Sequence, residues 1–266
     1  MIKIESKDNA LFKFTKKLKE RKHRTKENKY IIEGFRLVEE AFKAGCNVEY
    51  ILLCESRDKK LDRYLSEHLD ETKSYVISET LFSQLCSTEN PQGVIAVIQQ
   101  KNNANDIEGD FFLLCDKVQD PGNLGTIIRS AHAAGVNAII LTKGTVDIYN
   151  DKTIRSTMGS IFYVPIIYDN DLSFLNKLKS EGFSLVATSL EESRNFFDED
   201  LSQKVILSVG NEGNGISKEI FDLADKKVKI PMPGGAESLN VGVATSIILF
   251  EKVRQNIYKK YFSTRY

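Results

Sequence analysis

The stretch that decides the fold runs from Phe111 to Thr142 and reads FFLLCDKVQDPGNLGTIIRSAHAAGVNAIILT. It begins with a mostly apolar run, Phe111 to Asp116, and ends with another, Ala138 to Thr142, each of strand length. Between them a Pro-Gly turn leads into Gly125 to Ala134, whose apolar residues have helical spacing. A buried strand, a helix and a second buried strand in this order predict a parallel βαβ unit.

The same rhythm continues towards the C terminus. Further strand candidates are Val164 to Tyr168, Ser184 to Ser189, Val205 to Val209 and Val228 to Ile230. The helices predicted between and after them are Leu172 to Ser180, Ser217 to Ala224 and Val241 to Tyr258. Strands that alternate with helices of this length predict a parallel sheet with helices on both faces. Because ligands of such sheets bind outside the carboxyl ends of the strands, we expect the chemistry in the loops that leave those ends.

The N-terminal part of the chain predicts a smaller α/β domain. Helical spacing is found in Asp8 to Lys19 and from Phe35 to Gly45. The strand candidates are Tyr30 to Gly34, Val48 to Cys54, Tyr75 to Ile77 and Gly93 to Ile98. Residues 101–109 have no apolar periodicity and several turn formers. We therefore predict a domain of residues 1–100, a linker of residues 101–109 and a second domain of residues 110–266.

Composition excludes several classes of protein. The chain has 266 residues, of which 41% are hydrophobic and 28% charged, as in a globular protein with a core. No apolar run approaches the roughly 20 residues that span a bilayer, and the first residues lack the pattern of a signal peptide. We therefore expect a cytoplasmic protein without a membrane span. The four cysteines lie far apart and there are only three histidines, so no metal site is expected.

The formal net charge of zero hides an asymmetry. Residues 1–36 contain 12 Lys or Arg against 5 Asp or Glu, and residues 252–266 contain 5 basic residues and no acidic one. Since screening limits the reach of a charge to roughly 8 to 10 Å, overall neutrality does not exclude a nucleic-acid partner. The densest basic run, Lys16 to Lys29, is either a solvated helix face or an RNA-binding surface. In the second interpretation Lys22, Arg24 and Lys26 contact RNA.

Two features stand out in the loop and helix after the first strand of the second domain. Asn123 lies near the predicted helix start, where its side chain could cap the helix. Arg129 lies one to two turns into the helix. Its small or apolar neighbours predict a partly buried side chain, which would require an anionic partner.

Two further loops follow later strands. Residues 210–215 read GNEGNG, and glycines permit the close approach of backbone to a ligand. The spacing fits neither a dinucleotide-binding fold nor a P-loop, which argues against a nicotinamide enzyme or an NTPase. Residues 230–241 read IPMPGGAESLNV, an extended loop in which Ser238 or Asn240 could cap the final helix.

Together, in this order and at these strand ends, the three loops resemble the motifs of the SpoU (TrmH-like) RNA ribose 2'-O-methyltransferases of the SPOUT superfamily. The motifs are Asn-x-Gly-x-x-x-Arg at 123–129, Gly-Asn-Glu-Gly at 210–213 and Ile-Pro-Met followed by Ser-Leu-Asn-Val at 230–241. The segment Lys152-x-x-Arg155-Ser156-x-x-Gly159 is similar to the linking segment of that family. The region before the linker resembles the ribosomal-protein-like RNA-binding domain of many members. Asn211 departs from the family pattern, since many members have a small residue there.

The resemblance implies a parallel sheet with a C-terminal trefoil knot, S-adenosylmethionine bound in the knot loops, and a homodimer whose active site draws on both subunits. By motif position, the cofactor contacts are Thr188, Gly210, Ile230 and Leu239. A side chain introduced at Gly210 is therefore expected to project against the adenosine. The final helix, with Val243, Ile247, Ile248, Phe250 and Val253, is either the dimer interface or part of the core.

Methyl transfer to a ribose 2'-hydroxyl is an in-line displacement, so the protein must position the hydroxyl and manage its proton. The resemblance implies Arg129 as the base. Because arginine stays protonated in most sites, the alternative is a cationic clamp on a phosphate and on developing alkoxide charge. Glu212 would orient Arg129 or the ribose. The remaining expected polar contacts are Asn123, Ser238 and Asn240 at the reacting ribose or phosphate, and Arg155 on the RNA.

The presence of a separate N-terminal domain favours a large folded RNA, most of all 23S ribosomal RNA. A tRNA 2'-O-methyltransferase and a non-catalytic RNA-binding protein are the alternatives. The full set Asn123, Arg129, Glu212, Ser238 and Asn240 argues against a decayed active site.

Overall fold

The computed structural model describes residues 1–69, 71–101, 107–189 and 194–263. The chain divides into two compact units, residues 1–102 with 149–162 and residues 103–148 with 163–266. Most of the predicted linker lies outside the described residues. Segment 149–162, which the sequence pattern placed in the C-terminal domain, packs in the first unit instead. The reason is apolar: Ile154 and Phe162 are buried in the core of that unit, and the ring of Tyr149 lies 4.3 Å from that of Tyr30.

The first unit is built on a five-stranded mixed sheet. Its strands are β1 Ile2–Ile4, β2 Lys29–Glu33, β3 Val48–Cys54, β4 Ser74–Ile77 and β5 Val94–Gln99. The helices in residues 1–102 of this unit are α1 Ala10–Lys17, α2 Arg21–Glu27, α3 Phe35–Lys43, α4 Ser66–Leu69 and α5 Glu79–Leu85, with a 3-10 helix at Lys59–Tyr64. The strand order is β1-β4-β3-β5-β2. The pairs β1–β4 and β4–β3 are parallel, whereas β5 runs antiparallel to both β3 and β2.

Both faces of this sheet are covered, as the period-two alternation of its strands requires. On one face Ile51 and Leu53 of β3 pack with Phe35, Val38 and Ala41 of α3. On the other face the core is formed by alternate strand residues and by α1 and α5, with Tyr50, Leu52, Ile95, Val97, Phe12, Leu81, Phe82 and Leu85. The expected smaller α/β domain is therefore present.

The second unit alternates strands and helices. Its first elements are β6 Phe111–Cys115, α6 Pro121–Ala134 and β7 Ala138–Thr142. The chain then passes through the first unit, where it forms α7 Asp151–Thr157 and a 3-10 helix at Ser160–Phe162. Back in the second unit it forms β8 Ile166–Asp169, α8 Ser173–Ser180, β9 Ser184–Thr188, β10 Arg194–Asn195, a 3-10 helix at Phe196–Asp198, β11 Val205–Val209, α9 Lys218–Leu223, β12 Lys226–Lys229 and α10 Val241–Ser263. The bounds predicted for β3, β7 and β11 are confirmed. Strands β1 and β10 and the short helices α2, α4, α5 and α7 were not predicted as separate elements.

The seven strands of this unit form one parallel sheet in the order β10-β12-β9-β11-β6-β7-β8, which confirms the predicted parallel α/β architecture. From β6 the chain builds outward through β7 to β8, whereas the later strands lie on the other side of β6. The order therefore reverses between β6 and β11, where Cys115 pairs with Val209. A crevice at such a reversal is where ligands of open α/β sheets bind.

Helix α6 begins four residues earlier than predicted. Asp120 is its N-cap: Asp120 Oδ1 accepts a hydrogen bond of 2.8 Å from the backbone N–H of Asn123, and Pro121 occupies the first turn. The expectation that the Asn123 side chain caps this helix is therefore wrong, and that side chain is available for other contacts. In the part of the chain that the structure describes, no helix is both long and apolar enough to cross a membrane.

Candidate active site

The loops after β6 and β11 are tied together by Glu212. Glu212 Oε2 accepts a hydrogen bond from the backbone N–H of Gln119 at 3.1 Å. Glu212 Oε1 accepts from the backbone N–H of Asp120 at 3.0 Å and from Asn123 Nδ2 at 3.1 Å. Both carboxylate oxygens are therefore engaged by the loop that leads into α6.

The loop before α10 joins the same network through Asn240. Asn240 Nδ2 donates to Asn123 Oδ1 at 2.9 Å. Asn240 Oδ1 accepts from the backbone N–H of Gly242 at 2.9 Å and of Val243 at 3.3 Å, so Asn240 caps α10. Glu212, Asn123 and Asn240 thus form one chain of hydrogen bonds across all three motif loops. The structure brings together these three predicted site residues.

Asp116, a buried carboxylate that was not among the residues predicted for the site, stabilises these loops through hydrogen bonds. Asp116, only 1% exposed, accepts from Thr142 Oγ1 at 2.8 Å and from the backbone N–H of Ser217 at 2.6 Å. Thr142 Oγ1 accepts in turn from the backbone N–H of Lys117 at 3.1 Å. Asp116 therefore links the ends of β6 and β7 to the start of α9. Its place directly after an apolar strand was the signal that could have identified it.

Asn211 shapes the glycine-rich loop. Its backbone pairs with Gly215 in a short bridge, and its Oδ1 accepts from the backbone N–H groups of Gly213 and Asn214, both at 3.0 Å. Asn211 Nδ2 donates to the carbonyl of Lys117 at 3.0 Å. The residue that departs from the family pattern is thus the one whose side chain folds this loop back on itself and fastens it to the loop after β6.

This fold of the loop leaves no room for a side chain at Gly210. A Cβ there would lie 2.1 Å from the carbonyl carbon of Gly215 and 2.3 Å from the backbone nitrogen of Ile216. The expectation that a side chain at Gly210 would project against the adenosine is therefore wrong, because the loop's own backbone fills that space. Glycine is required at this position for close packing of the loop.

The hydrogen bonds also set the charge of Glu212. Partial desolvation opposes its charged form, but the hydrogen bonds from Asn123 and from the backbone of Asp120 and Gln119 outweigh it and lower the pKa of Glu212 below its ordinary value of 4.5. The group is an ionised carboxylate at neutral pH, and it can only accept hydrogen bonds.

Arg129 lies on α6, six residues and about 9 Å along the helix axis beyond Asn123. Its side chain is exposed, so the expectation of partial burial is wrong. Among the described residues it has no hydrogen bond or ion pair, and Glu212 is occupied by the loop at residues 119–123 rather than by this guanidinium. Arg129 therefore presents a full positive charge to solvent, free to bind an anionic ligand.

Of the residues expected to contact the cofactor, Thr188, Gly210 and Ile230 lie at the ends of strands, and Leu239 lies just before α10. Thr188 closes β9, and its Oγ1 donates to the carbonyl of Ser208 at 3.0 Å. Ile230 and Leu239 are half-buried at the two ends of an otherwise mostly exposed loop. Apolar side chains beside backbone-rich loops suit the adenine and ribose of S-adenosylmethionine. Ser238 is exposed and makes no hydrogen bond within the described part of the chain.

The predicted RNA contacts lie in the first unit and differ from one another. Lys22 and Lys26 are exposed on α2, whereas Arg155 is half-buried on α7. Arg24 is only 6% exposed, and its Nη1 donates to the carbonyls of Leu18 and Lys19 at 3.0 and 2.6 Å. Its assignment to an exposed RNA-binding surface is wrong, because it holds the end of α1. The described residues contain no group of three or more metal-binding side chains.

Two family descriptions match the chain. Residues 110–250 match the SpoU rRNA Methylase family, and residues 9–96 match the MRM3-like substrate binding domain. The chain is 40% identical over 250 residues to the 23S rRNA (guanosine(2553)-2'-O)-methyltransferase RlmP of Bacillus subtilis (strain 168), over 94% of this chain and 98% of that protein.

Solved structures are similar over nearly the whole chain. The AdoMet-bound rRNA methyltransferase from Sinorhizobium meliloti is 33% identical and superposes with a TM-score of 0.84, covering 95% of this chain and 97% of that one. The SpoU methyltransferase AviRb from Streptomyces viridochromogenes, in complex with AdoMet, is 32% identical with a TM-score of 0.85, covering 94% and 98%.

Proposed function

Because the chain belongs to the SpoU rRNA methylase family, we propose that it transfers a methyl group from S-adenosylmethionine to a ribose 2'-hydroxyl of 23S ribosomal RNA. The observation that carries this proposal is the hydrogen-bonded chain Glu212–Asn123–Asn240 at the reversal of the parallel sheet, on loops that flank the helix of the unpartnered Arg129. These residues supply an anion, two amides and a free cation at a ligand-binding edge.

Roles follow from the contacts of each side chain. When bound, S-adenosylmethionine supplies an activated methyl carbon, so the chain's own residues need to position the hydroxyl and stabilise its charge. Thr188, Gly210, Ile230 and Leu239 form the cofactor site, with Gly210 acting through the backbone of its loop. Ser238, whose hydroxyl has no internal partner, hydrogen-bonds the RNA ribose or phosphate.

We assign Arg129 the role of a cationic clamp. A guanidinium with no internal partner can bind a phosphate through bidentate hydrogen bonds. Its hydrogen bonds to the ribose oxygen become stronger as negative charge develops on that oxygen during the reaction. Glu212 does not orient Arg129 in this arrangement. It holds Asn123 and the start of α6, and so sets the place from which Arg129 projects.

The proposal includes the organisation of the whole enzyme. Residues 1–100 bind the RNA substrate and residues 110–266 carry out transfer, which the two family matches support. The second domain contains the trefoil knot of the family, the enzyme works in the cytoplasm, and it acts as a homodimer. In support of the dimer, α10 exposes Val243, Phe250 and Ile257, 48%, 47% and 50% accessible, at intervals of seven residues along one helix.

The test is transfer of a tritiated methyl group from S-adenosylmethionine to a 23S ribosomal RNA transcript, beside a bulk tRNA sample. We expect label in ribosomal RNA, at a ribose that blocks alkaline cleavage, and a rate of labelling lower by roughly 10² to 10³-fold or more with the Arg129→Ala variant. Label confined to tRNA would overturn the assigned substrate. Failure to bind S-adenosylmethionine in calorimetry would leave only an RNA-binding protein.

A further inference from the structure

A pocket lies between α1 and α2 in the first unit. Its volume is about 350 Å³. Its apolar lining is formed by Ala10, Phe14 and Leu18. Its polar lining is formed by Lys13, Lys17, Lys26 and His23, with Glu27 as the one acidic member. An apolar floor with a cationic rim distinguishes this pocket from a simple solvated helix face, which offers charge without a concave apolar surface.

The basic sequence itself builds the pocket. Asn9 caps α1 by accepting from the backbone N–H groups of Leu11 and Phe12 at 2.9 and 3.2 Å. The chain then turns after Lys17, and the buried Arg24 of α2 donates to the last carbonyls of the α1 end. Arg24 thus holds α1 and α2 together, and the space between these two helices is the pocket.

The rim is positive. Between Ala10 and Glu27 the chain has eight Lys or Arg and two Glu. Lys13 pairs with Asp8 at 2.7 Å and Lys26 lies 3.9 Å from Glu27, but these exposed pairs are weak and exchange readily for another anion. Lys17 is exposed and has no ion pair or hydrogen bond within the described residues. The pocket is therefore complementary to a ligand that is planar or apolar at its centre and anionic at its edges.

We propose that this pocket binds one unpaired nucleotide of the RNA substrate, with the base against Phe14 and Ala10 and the flanking phosphates on the lysines, while the buried Leu18 closes the bottom of the pocket. The proposal rests on the function proposed above. A pocket near the lower end of the size range for small ligands, roughly 300 to 1,000 Å³, admits one base but not a paired helix. Stacking of a base on an aromatic ring tolerates every base, so the pocket selects for single-strandedness rather than for sequence.

The experiment compares a short oligouridylate with an RNA duplex of equal length, using the full chain and two charge-matched variants. Ala10→Glu places a carboxylate in the pocket, and an acidic residue in the first turn of a helix favours folding. Ser83→Glu places the same charge on the exposed surface of α5, which contributes no residue to the lining of the pocket. We expect Ala10→Glu to weaken oligouridylate binding about tenfold, as loss of one stacked base does, with Ser83→Glu near the parent.

Duplex binding should change equally and little in both variants. Equal losses of oligouridylate binding in the two variants would overturn the pocket, and so would displacement of oligouridylate by a polyglutamate peptide as effectively as by RNA. Lys17→Gln serves as a second variant, and it should weaken oligouridylate more than duplex. Methyl transfer separates the two proposals: a parent that fails to methylate ribosomal RNA defeats the function, whereas full transfer with an unchanged KM in Ala10→Glu defeats only the pocket.

Discussion

The loops at the carboxyl ends of β6 and β11 and the α1–α2 surface are both rich in polar residues, but they are held in different ways. In the loops, Glu212, Asn123 and Asn240 hydrogen-bond to one another, while Asp116 and Asn211 bond to the backbone of neighbouring loops. On the α1–α2 surface most cations face solvent, and Arg24 alone among the three predicted there is buried. Substitutions in the loops should therefore have large, non-additive effects on activity and stability. Substitutions on the α1–α2 surface should have small effects on RNA affinity that add up.

Arg129→Ala should have the largest effect. It removes the one cation on α6 that has no internal partner, so we expect the rate of methyl transfer to fall by roughly 10² to 10³-fold or more. The affinity for S-adenosylmethionine, measured by calorimetry, should change little because other loops hold it. Lys218→Ala, an exposed cation on α9, is the control and should retain the parent rate. Loss of cofactor binding in Arg129→Ala would contradict this division of roles.

Gly210→Ala tests how tightly the loop is packed. Its new Cβ would lie against the backbone of Gly215 and Ile216, so the loop must shift, at a cost of roughly 1 to 3 kcal/mol in the free energy of unfolding. Cofactor affinity should fall with it. Gly213→Ala in the same loop meets its nearest atom at an ordinary 3.7 Å and should be nearly neutral. Denaturant unfolding of both variants decides the matter, and equal stability would show that the loop yields easily.

Replacing both Lys22 and Lys26 with Glu tests whether the exposed cations of the α1–α2 surface contact RNA phosphates. If each lysine contacts one phosphate, the slope of log RNA affinity against log salt should flatten by roughly 0.7 to 0.9 per contact, with a loss of roughly tenfold in affinity. Cofactor binding should not change. A salt titration that gives the parent slope would favour a solvated helix face without an RNA role.

The smallest expected effect is the pH dependence that Glu212 contributes to stability. Because its folded-state pKa lies below the ordinary 4.5, the carboxylate stabilises the fold above about pH 4.5 and loses this contribution as the pH falls through the lowered pKa. The side chain is exposed, so we expect less than about 1 kcal/mol. Thermal unfolding of Glu212→Gln should differ from the parent at pH 6 and converge with it near pH 3. If the difference in thermal stability between the variant and the parent is the same at pH 3 and pH 6, ionisation of Glu212 does not contribute to the pH dependence of stability.

The sequence by itself determined the parallel sheet and the three motif loops. Runs such as Ala138–Thr142 and Val205–Val209 are of strand length and apolar at four of their five positions, which favours a strand that is buried on both faces of a sheet. Asn123, Glu212 and Asn240 belong to the segments that lead from such strands into the following helices, which predicts that they lie at one edge of the sheet. Local pattern is sufficient here because each residue's place follows from its own strand.

Only the tertiary structure decided which partner each polar side chain takes. Asp120 rather than Asn123 caps α6, Glu212 binds the loop at residues 119–123 rather than Arg129, and Arg24 turns inward to the end of α1. Segment 149–162 likewise joins the first unit through Ile154 and Phe162. Hydrogen-bond partners of this kind lie more than a hundred residues apart in the chain, as with Asn123 and Asn240, which are separated by 117 positions. Neither residue type nor local spacing specifies such pairs, because their choice depends on which strand ends the whole fold places side by side.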